Sequence, residues 1–342
     1  MQPVNTVADL DDLLSTPTPQ VLQSLQHSTG DFLLLGAGGK MGHTLGRMLR
    51  RSLDQLGYSE RRVIGVSRFT SAAKEQELQQ AGLETIRCDL LDRAAVSTLP
   101  QIDNVFFMAG QKFGTTGAPE LTWAMNALVP ALVADHFRSS RIVVFSTGNV
   151  YPLTDAAGPG SSENSPLTPP GEYANSCVAR ERLFAFHSLM YHTPMLMFRL
   201  CYAIDLRYGV LLDLAQKIHA GQKVDLSMGT VQVIWQGDAC AAAIRCLDHT
   251  TSPATSLNIT GNEKIPVASL AQKLATALQC PLQTTGAAQP TAWVWDASQA
   301  EQLFGPPTVS LDEMVTATAN WVRAGGVTLN KPTRFEVRDG HY

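Results

Sequence analysis

Residues 31–53 read DFLLLGAGGKMGHTLGRMLRRSL, and this stretch decides the fold. It begins with an unbroken apolar run, continues with a glycine-rich segment, and ends with apolar residues at helical spacing. That order predicts a buried strand, a tight loop and a helix. Similar apolar runs follow, with helical patterns between most of them, at residues 61–68, 84–90, 104–110, 141–147, 194–204 and 256–261.

Strands that alternate with helices and are apolar throughout predict a parallel sheet covered on both faces. The predicted fold class is therefore α/β, with a doubly wound, Rossmann-type parallel sheet. The chain has 342 residues, more than one compact domain usually contains, so a smaller, mixed C-terminal lobe is expected beside the sheet.

Composition excludes several classes of partner. Charged residues make up only 16% of the chain and the net charge is −4, so neither a nucleic-acid surface nor an acidic tail is predicted. The N-terminus lacks the basic residues of a signal peptide, and no apolar run is long enough for a membrane span. We expect a cytoplasmic protein whose scattered cysteines are reduced and bind no metal, namely Cys88, Cys177, Cys201, Cys240, Cys246 and Cys280.

Gly36, Gly39 and Gly42 form a G-x-x-G-x-x-G pattern between the first predicted strand and helix. Glycines in this position permit a tight turn and close backbone approach, so that a pyrophosphate can lie against the helix N-terminus. The pattern predicts a dinucleotide-binding loop, although a tight turn without a ligand is an alternative.

The residues at the end of the second strand help to distinguish an NAD(H) site from an NADP(H) site. A ribose diol is usually held by an acidic residue there, but this chain has Ser67 and Arg68. A hydroxyl and a guanidinium suit a 2′-phosphate, and Lys40 would add a second cation, so we favour NADP(H) over NAD(H). Arg68 as a solvated surface residue is an alternative. Asp89 could accept a hydrogen bond from adenine or cap the next helix.

Several motifs in order resemble the extended short-chain dehydrogenase/reductase family, which contains nucleotide-sugar epimerases and dehydratases. The resemblance covers about residues 31–323 and rests on the glycine loop, CDL at 88–90, Asn126, FSTGNVYP at 145–152, the helix from Tyr173, FRLCYAI at 198–204, VIWQGDACAAAI at 233–244, LNITGNEKIPVASLAQKLATAL at 257–278 and DASQAEQLFG at 296–305. It implies that Met41, Leu90, Ala109, Gly110 and Asn126 complete the cofactor site.

In that family, a Ser or Thr binds the substrate oxygen and a Tyr-x-x-x-Lys motif follows about 25 residues later. The first position is Thr147, with Ser146 beside it, and Tyr173 follows 26 residues after Thr147. The lysine position, however, holds Cys177, while Glu181 matches an acidic residue often found in the family.

Loss of this lysine removes a cation that would lower the pKa of Tyr173, which hinders alcohol oxidation more than carbonyl reduction. Lys112, after the fourth strand, is a candidate substitute, and Arg180 is a weaker one on the Tyr173 helix. A lysine in such a loop can equally be solvated. Cys177 is interpreted as a small buried residue rather than a nucleophile.

Substrate-binding candidates lie between residues 200 and 235, where the family builds its substrate lobe, and are Tyr202, Asp205, Arg207, Tyr208 and Trp235. Arg207 could clamp a carboxylate or phosphate, and the aromatic faces could stack on a sugar or base. For Tyr208 and Trp235, packing is the alternative. The family's asparagine-proline pair is replaced by Tyr202-Ala203, and Asp238 is interpreted as structural.

We therefore assign residues 31–200, with 234–260 returning, to a dinucleotide-binding domain, and 201–233 with 261–326 to the substrate lobe. Residues 1–30 form a partly helical N-terminal extension and residues 327–342 a C-terminal arm or lid. The leading hypothesis is an NAD(P)-dependent oxidoreductase that reduces a carbonyl of a sugar-like or small polar substrate, with Tyr173 as proton donor. A dinucleotide sensor or scaffold and a nucleotide-sugar epimerase or dehydratase are the alternatives. The family often dimerises through helices that correspond to residues 118–137 and 173–191, so a homodimer is expected.

Overall fold

A seven-stranded parallel sheet lies at the centre of the computed structural model, which describes residues 3–341. Its strands are β1 (Phe32–Leu35), β2 (Val63–Ser67), β3 (Glu84–Arg87), β4 (Asn104–Phe107), β5 (Arg141–Thr147), β6 (Met195–Leu200) and β7 (Thr255–Ile259). Their order across the sheet is β3-β2-β1-β4-β5-β6-β7, and every pairing is parallel. This confirms the doubly wound Rossmann-type fold that the sequence predicts.

The apolar runs become strands because both faces of the sheet are covered. In β1, Phe32 and Leu34 pack into one core with α3, while Leu33 and Leu35 pack into a second core on the opposite face. All four side chains are fully buried. A strand buried on both faces cannot alternate apolar with polar residues, which explains its continuous hydrophobicity.

Thirteen α-helices are present within residues 3–341. They are α1 (Val7–Leu14), α2 (Pro19–Gln26), α3 (Gly42–Gln55), α4 (Ala72–Gln80), α5 (Arg93–Ser97), α6 (Pro119–Trp123), α7 (Val129–His136), α8 (Glu172–Tyr191), α9 (Val210–His219), α10 (Gln236–Arg245), α11 (Val267–Leu278), α12 (Ser298–Phe304) and α13 (Leu311–Arg323). The single helix expected over residues 118–137 is divided by a π-helical turn at Ala124–Leu128. Such turns are frequent at functional sites.

A smaller lobe follows β6 in the chain. Its helices α9, α11 and α13 share a third core, and short two-residue strands connect them, including Ala203–Ile204, Ile234–Trp235 and Thr291–Ala292. The segment 234–260 contributes α10 and β7 to the layers of the large sheet. Among the described residues, no helix is long and apolar enough to cross a membrane, and no cluster of potential metal ligands occurs.

Both termini pack against this body. Leu10 and Leu14 of α1 are fully buried in the core of the smaller lobe, and Val21 and Leu25 of α2 are buried against the sheet layer. The C-terminal arm contains neither helix nor strand over residues 327–341, but Phe335 is 1% exposed. Residue 342 of the predicted arm, and residues 1 and 2 of the predicted extension, lie outside the described residues.

Candidate functional site

The glycine loop between β1 and α3 allows close backbone approach to a phosphate. Gly36 has a φ of 94°, in the left-handed region, and a Cβ there would lie 2.7 Å from the backbone nitrogen of Ala109. A Cβ on Gly42 would lie 2.1 Å from the carbonyl oxygen of Ala37, so a side chain could not be accommodated. Because α3 begins without a side-chain cap, N–H groups of its first turn can donate to an anion. The loop fits a dinucleotide pyrophosphate.

A cavity of about 390 Å³ extends from this loop along the carboxyl ends of the strands, where doubly wound folds bind ligands. It brings together most of the predicted cofactor residues: Gly36, Gly39, Ser67, Arg68, Asp89, Leu90, Ala109 and Gly110. We call it the adenosine-end cavity.

Basic side chains surround the adenosine-end cavity. Arg68, Lys74 and Lys331 line it and are exposed, although the sequence interpretation did not include the two lysines. Asp89 accepts a hydrogen bond from the backbone N–H of Leu91 at 3.0 Å. The next helix, α5, is capped by Asp92, so the capping alternative for Asp89 is wrong.

Lys40 points away from the adenosine-end cavity, which corrects its predicted position. Its ammonium donates to the carbonyl oxygen of Ala203 at 2.9 Å and lies 4.0 Å from the centroid of the Tyr208 ring. Lys40 and Met41 line a second cavity of about 210 Å³ around Tyr173. Burial lowers the pKa of Lys40 to about 8. The side chain therefore leaves the loop on the side of the substrate candidates.

Asn126 is absent from the lining of either cavity. Its amide oxygen accepts from the backbone N–H of Gln111 at 2.9 Å and from Arg180 at 2.6 Å. Its amide nitrogen donates to the Gln111 carbonyl and to Ser176. These bonds satisfy the side chain and fix the loop after β4, while a contact of Asn126 with a cofactor stays a prediction.

Tyr173 and Thr147 line the second cavity, which we call the tyrosine pocket, and Cys177 is fully buried behind Tyr173. The Tyr173 hydroxyl lies close to the side chains of Thr147 and Cys177, which both influence its pKa. Burial raises the pKa of Tyr173 well above its ordinary value of 10.0, and the charge of Arg180 opposes this shift. The phenol is consequently protonated at neutral pH. Burial also raises the pKa of the Cys177 thiol, which suits a packing residue rather than a thiolate nucleophile.

Lys112 approaches Tyr173 from the loop after β4. Its ammonium lies 5.8 Å from the centroid of the Tyr173 ring and 3.4 Å from the carbonyl oxygen of Thr333. Burial lowers the pKa of Lys112 to about 8, although the nearby Cys177 raises it. Arg180, the other candidate cation, instead donates to the carbonyl oxygen of Phe145 at 2.8 Å and to Asn126.

Ser146 lines the tyrosine pocket but donates its hydroxyl to Glu181 at 2.5 Å. Glu181 in turn forms an ion pair with Arg199 of β6 at 2.6 Å, and both side chains are 5% exposed. This buried group connects α8, which carries Tyr173, to β5 and β6. Of the two hydroxyls predicted to bind substrate, Thr147 is the one that lies close to Tyr173, whereas Ser146 is bonded to Glu181.

Aromatic side chains besides Tyr173 line the tyrosine pocket. Tyr202 and Tyr208 line it, as the sequence interpretation proposed. Trp295 was missed; its ring centroid lies 5.4 Å from that of Tyr202, and its indole donates to the carbonyl oxygen of Gly148 at 2.9 Å. The available signal was its position directly before the DASQAEQLFG motif.

Three other substrate candidates are used within the protein. Arg207 pairs with Asp205 at 2.9 Å and with Asp11 of α1 at 2.9 Å, so its guanidinium is not available as an anion clamp. Trp235 is 2% exposed and packs in the core of the smaller lobe, outside the tyrosine pocket. Asp238 accepts from Thr308 and Val309, consistent with the structural role proposed for it.

The C-terminal arm crosses between the two cavities. Lys331 lines the adenosine-end cavity and Thr333 lines the tyrosine pocket. The Thr333 hydroxyl and N–H donate to Asp213 of α9 at 2.5 and 2.7 Å, which fixes the arm to the smaller lobe. Sequence periodicity gave no indication that residues 331 and 333 would contact the site.

Comparison with known proteins identifies the fold. No family model matches the sequence, and no curated protein matches it. In structure, the chain is similar to UDP-glucuronic acid 4-epimerase from Bacillus cereus in complex with UDP-glucuronic acid and NAD, with a TM-score of 0.71 and 20% identity over 86% of this chain and 99% of that chain. The chain shares the fold of this protein.

Two further structures show the same likeness. The dTDP-glucose 4,6-dehydratase from Streptomyces venezuelae with NAD bound has a TM-score of 0.71 and 17% identity over 86% of this chain and 97% of that chain. The UDP-glucose 4-epimerase from Thermus thermophilus in complex with NAD has a TM-score of 0.69 and 18% identity over 86% and 99%. All three belong to the group that the sequence resembles.

Proposed function

We propose that the protein is an NAD(P)-dependent reductase of the extended short-chain type that acts on a small carbonyl compound. The observation that carries this proposal is the protonated Tyr173 hydroxyl, which lies close to Thr147 in the pocket beside the glycine loop. Carbonyl reduction consumes a proton, and a phenol with a raised pKa holds one at neutral pH. Alcohol oxidation would require the phenolate, which burial disfavours.

Each residue has a defined part in this reaction. The nicotinamide dinucleotide, when bound by the glycine loop and the adenosine-end cavity, supplies the hydride. Thr147 holds the carbonyl oxygen by a hydrogen bond next to Tyr173, and the Tyr173 hydroxyl gives its proton to that oxygen. Tyr202 and Trp295 form an apolar wall that excludes water from the reacting carbonyl.

Lys112 is proposed to replace the lysine that the family carries at position 177. Negative charge develops on the Tyr173 oxygen as its proton leaves, and a nearby ammonium stabilises that charge. Lys112 supplies a cation from a loop, where the family supplies one from a helix. The 5.8 Å separation from the ring centroid of Tyr173 supports this role.

Replacement of Lys112 with methionine is expected to lower kcat about 10- to 100-fold, because the charge that develops on the Tyr173 oxygen loses a nearby cation. Since the folded pKa of Lys112 is about 8, its ammonium disappears as pH rises through 8, and wild-type kcat should fall there. The groups that face Lys112 are Tyr173, Cys177, Asp213 and Arg334. Steady-state kinetics from pH 6 to 9.5 would measure this fall in kcat at alkaline pH. The Lys112→Met variant should not show it.

A relocated cation provides the control for this prediction. In Lys112→Ala combined with Cys177→Lys, the ammonium lies one helical turn from Tyr173, so kcat should recover to within about tenfold of wild type. Cys177→Lys alone adds a cation near Arg180 and Lys112 and should reduce stability. A double variant as inactive as Lys112→Ala would contradict the role of Lys112.

The adenosine-end cavity supports a preference for NADP(H). Arg68, Lys74 and Lys331 contribute three basic groups to its lining, whereas Asp89 contributes one acidic group. A 2′-phosphate carries charge that such groups recognise, and an unmodified ribose does not. The relatives in the comparison are NAD complexes, so binding measurements must decide this preference.

Arg68→Ala is expected to weaken NADPH binding about 10- to 100-fold, the effect of losing a charge-assisted hydrogen bond. NADH binding should change by less than about threefold, because the ribose diol presents no charge to the guanidinium. Fluorescence titration of both cofactors measures the two constants. Equal losses for NADPH and NADH would instead assign Arg68 a general role in the cavity.

An epimerase or dehydratase is the second candidate, since the similar structures carry those names. Their nucleotide-sugar substrates are large, whereas the tyrosine pocket holds about 210 Å³, below the roughly 300–1,000 Å³ of common ligand sites. A panel of UDP- and dTDP-sugars, assayed beside small aldehydes and ketones with NADPH, separates the two reactions. NADPH binding without turnover on either panel would support the sensor or scaffold alternative.

A homodimer is proposed through α8 and the α6–α7 segment. Their outer surface exposes large apolar side chains: Leu121 (41%), Trp123 (37%), Leu128 (48%), Phe186 (55%), Leu189 (61%), Met190 (55%) and Tyr191 (41%). An apolar patch of this kind marks an interaction surface. Light scattering at micromolar concentration should give twice the monomer mass, and Leu189→Glu should give the monomer mass.

We also propose that the protein is located in the cytoplasm, which cell fractionation would test.

A further inference from the structure

The tyrosine pocket is basic and aromatic. Lys40 approaches from the glycine loop and Lys112 from the loop after β4. Within residues 3–341, no aspartate or glutamate lines the pocket. Two ammonium groups in a partly desolvated space create a positive potential, which attracts an anion. The charge of the pocket therefore favours a negatively charged substrate.

Lys40 lacks an ion-pair partner among the described residues. Its contacts are a neutral carbonyl oxygen of Ala203 and the face of the Tyr208 ring. The nearby Asp205 carboxylate is paired with Arg207. An ammonium has three donors, and removal from water is costly when no anion compensates. A buried ammonium without an ion-pair partner destabilises the fold, and charged groups of this kind are typical of functional sites.

We propose that Lys40, assisted by Lys112, binds an oxyanion on the substrate, so that the substrate is a small carbonyl compound with a carboxylate or phosphate group. This inference rests on the proposed function and identifies its substrate class. The oxyanion would occupy the glycine-loop side of the pocket and its carbonyl the Thr147 and Tyr173 side. A volume of about 210 Å³ suits a compound of a few carbon atoms.

Matched anionic and neutral probes test this inference without turnover. The protein is saturated with NADP⁺, which cannot reduce a carbonyl, and is titrated by calorimetry at pH 7 with pyruvate and pyruvamide, then with dihydroxyacetone phosphate and dihydroxyacetone. The titrations are repeated without cofactor. At least one anionic probe should bind about tenfold or more tightly than its neutral partner, and the pair that shows this identifies carboxylate or phosphate.

Variants of Lys40 assign the effect. Lys40→Met should weaken binding of the preferred anion about 10- to 100-fold, whereas Lys40→Arg should keep most of it. The control is Lys223→Met, which removes an exposed lysine outside both cavities and should change nothing. Thermal denaturation checks folding, and Lys40→Met should melt no lower than wild type because an unpaired ammonium is removed. If Lys40→Met does not fold, Lys40→Gln replaces it.

Three results would overturn the inference. The first is equal binding of anionic and neutral probes, and the second is a preference for anions that is retained in Lys40→Met. The third is a loss of NADP⁺ affinity in Lys40→Met as large as its loss of anion affinity, which would assign Lys40 to the cofactor. The proposed function fails separately. Anion binding that depends on Lys40, without any NADPH-dependent reduction, would leave this inference standing and remove the reductase. Tyr173-dependent reduction of neutral carbonyls with no preference for anions would support the reductase and overturn the proposed anion site.

Discussion

Replacement of Tyr173 with phenylalanine is expected to lower kcat for carbonyl reduction about 100- to 10,000-fold, the usual contribution of general acid catalysis. The ring and its packing remain, and only the hydroxyl beside Thr147 and Cys177 is lost. The Kd for NADPH should therefore change by less than about twofold, because a lost transition-state interaction affects kcat rather than cofactor binding. Stopped-flow turnover and fluorescence titration give the two values.

Tyr208→Phe is the matched control for this substitution. Tyr208 lies in the same pocket, and phenylalanine preserves the ring that faces the Lys40 ammonium. The control should retain kcat within about fivefold, since its hydroxyl has no proton-transfer role. Turnover that survives in Tyr173→Phe would remove Tyr173 as the acid and, with it, the mechanism proposed above.

Replacement of Glu181 with leucine is expected to reduce the free energy of unfolding by about 3–5 kcal/mol, because Arg199 would remain as a buried charge without its partner. The two side chains are 5% exposed, and Glu181 also accepts from Ser146. Denaturant unfolding measures the change. The activity of the folded fraction should fall too, since the pair connects the Tyr173 helix to β6.

An exposed ion pair gives the comparison. Lys273 and Asp312 are 49% and 77% exposed, and Asp312→Leu should cost less than about 1 kcal/mol. Combining Glu181→Leu with Arg199→Met should recover much of the lost stability, because both buried charges are then removed. Equal losses for Glu181→Leu and Asp312→Leu would contradict the structural importance of the buried pair.

The sequence placed Arg68 in the correct cavity, but it did not predict the direction of the Lys40 side chain. Arg68 lies in the predicted cavity because it directly follows a strand, and the sheet fixes the location of strand ends. Lys40 lies one residue beyond a glycine, and its side chain could leave the loop toward either cavity. Its contacts with Ala203 and Tyr208, which come from a segment more than 160 residues later, decide the direction.

The sequence by itself determined the doubly wound sheet, the glycine loop and the spacing of Thr147 and Tyr173. These features depend on local periodicity and on backbone conformations that glycine allows, so they are readable along the chain. Only the tertiary structure placed Lys112 beside Tyr173, used Asn126 and Arg207 as internal contacts, and brought Lys331, Thr333 and Trp295 to the two cavities. Such contacts join distant segments, and the packing that creates them has no local pattern in the sequence.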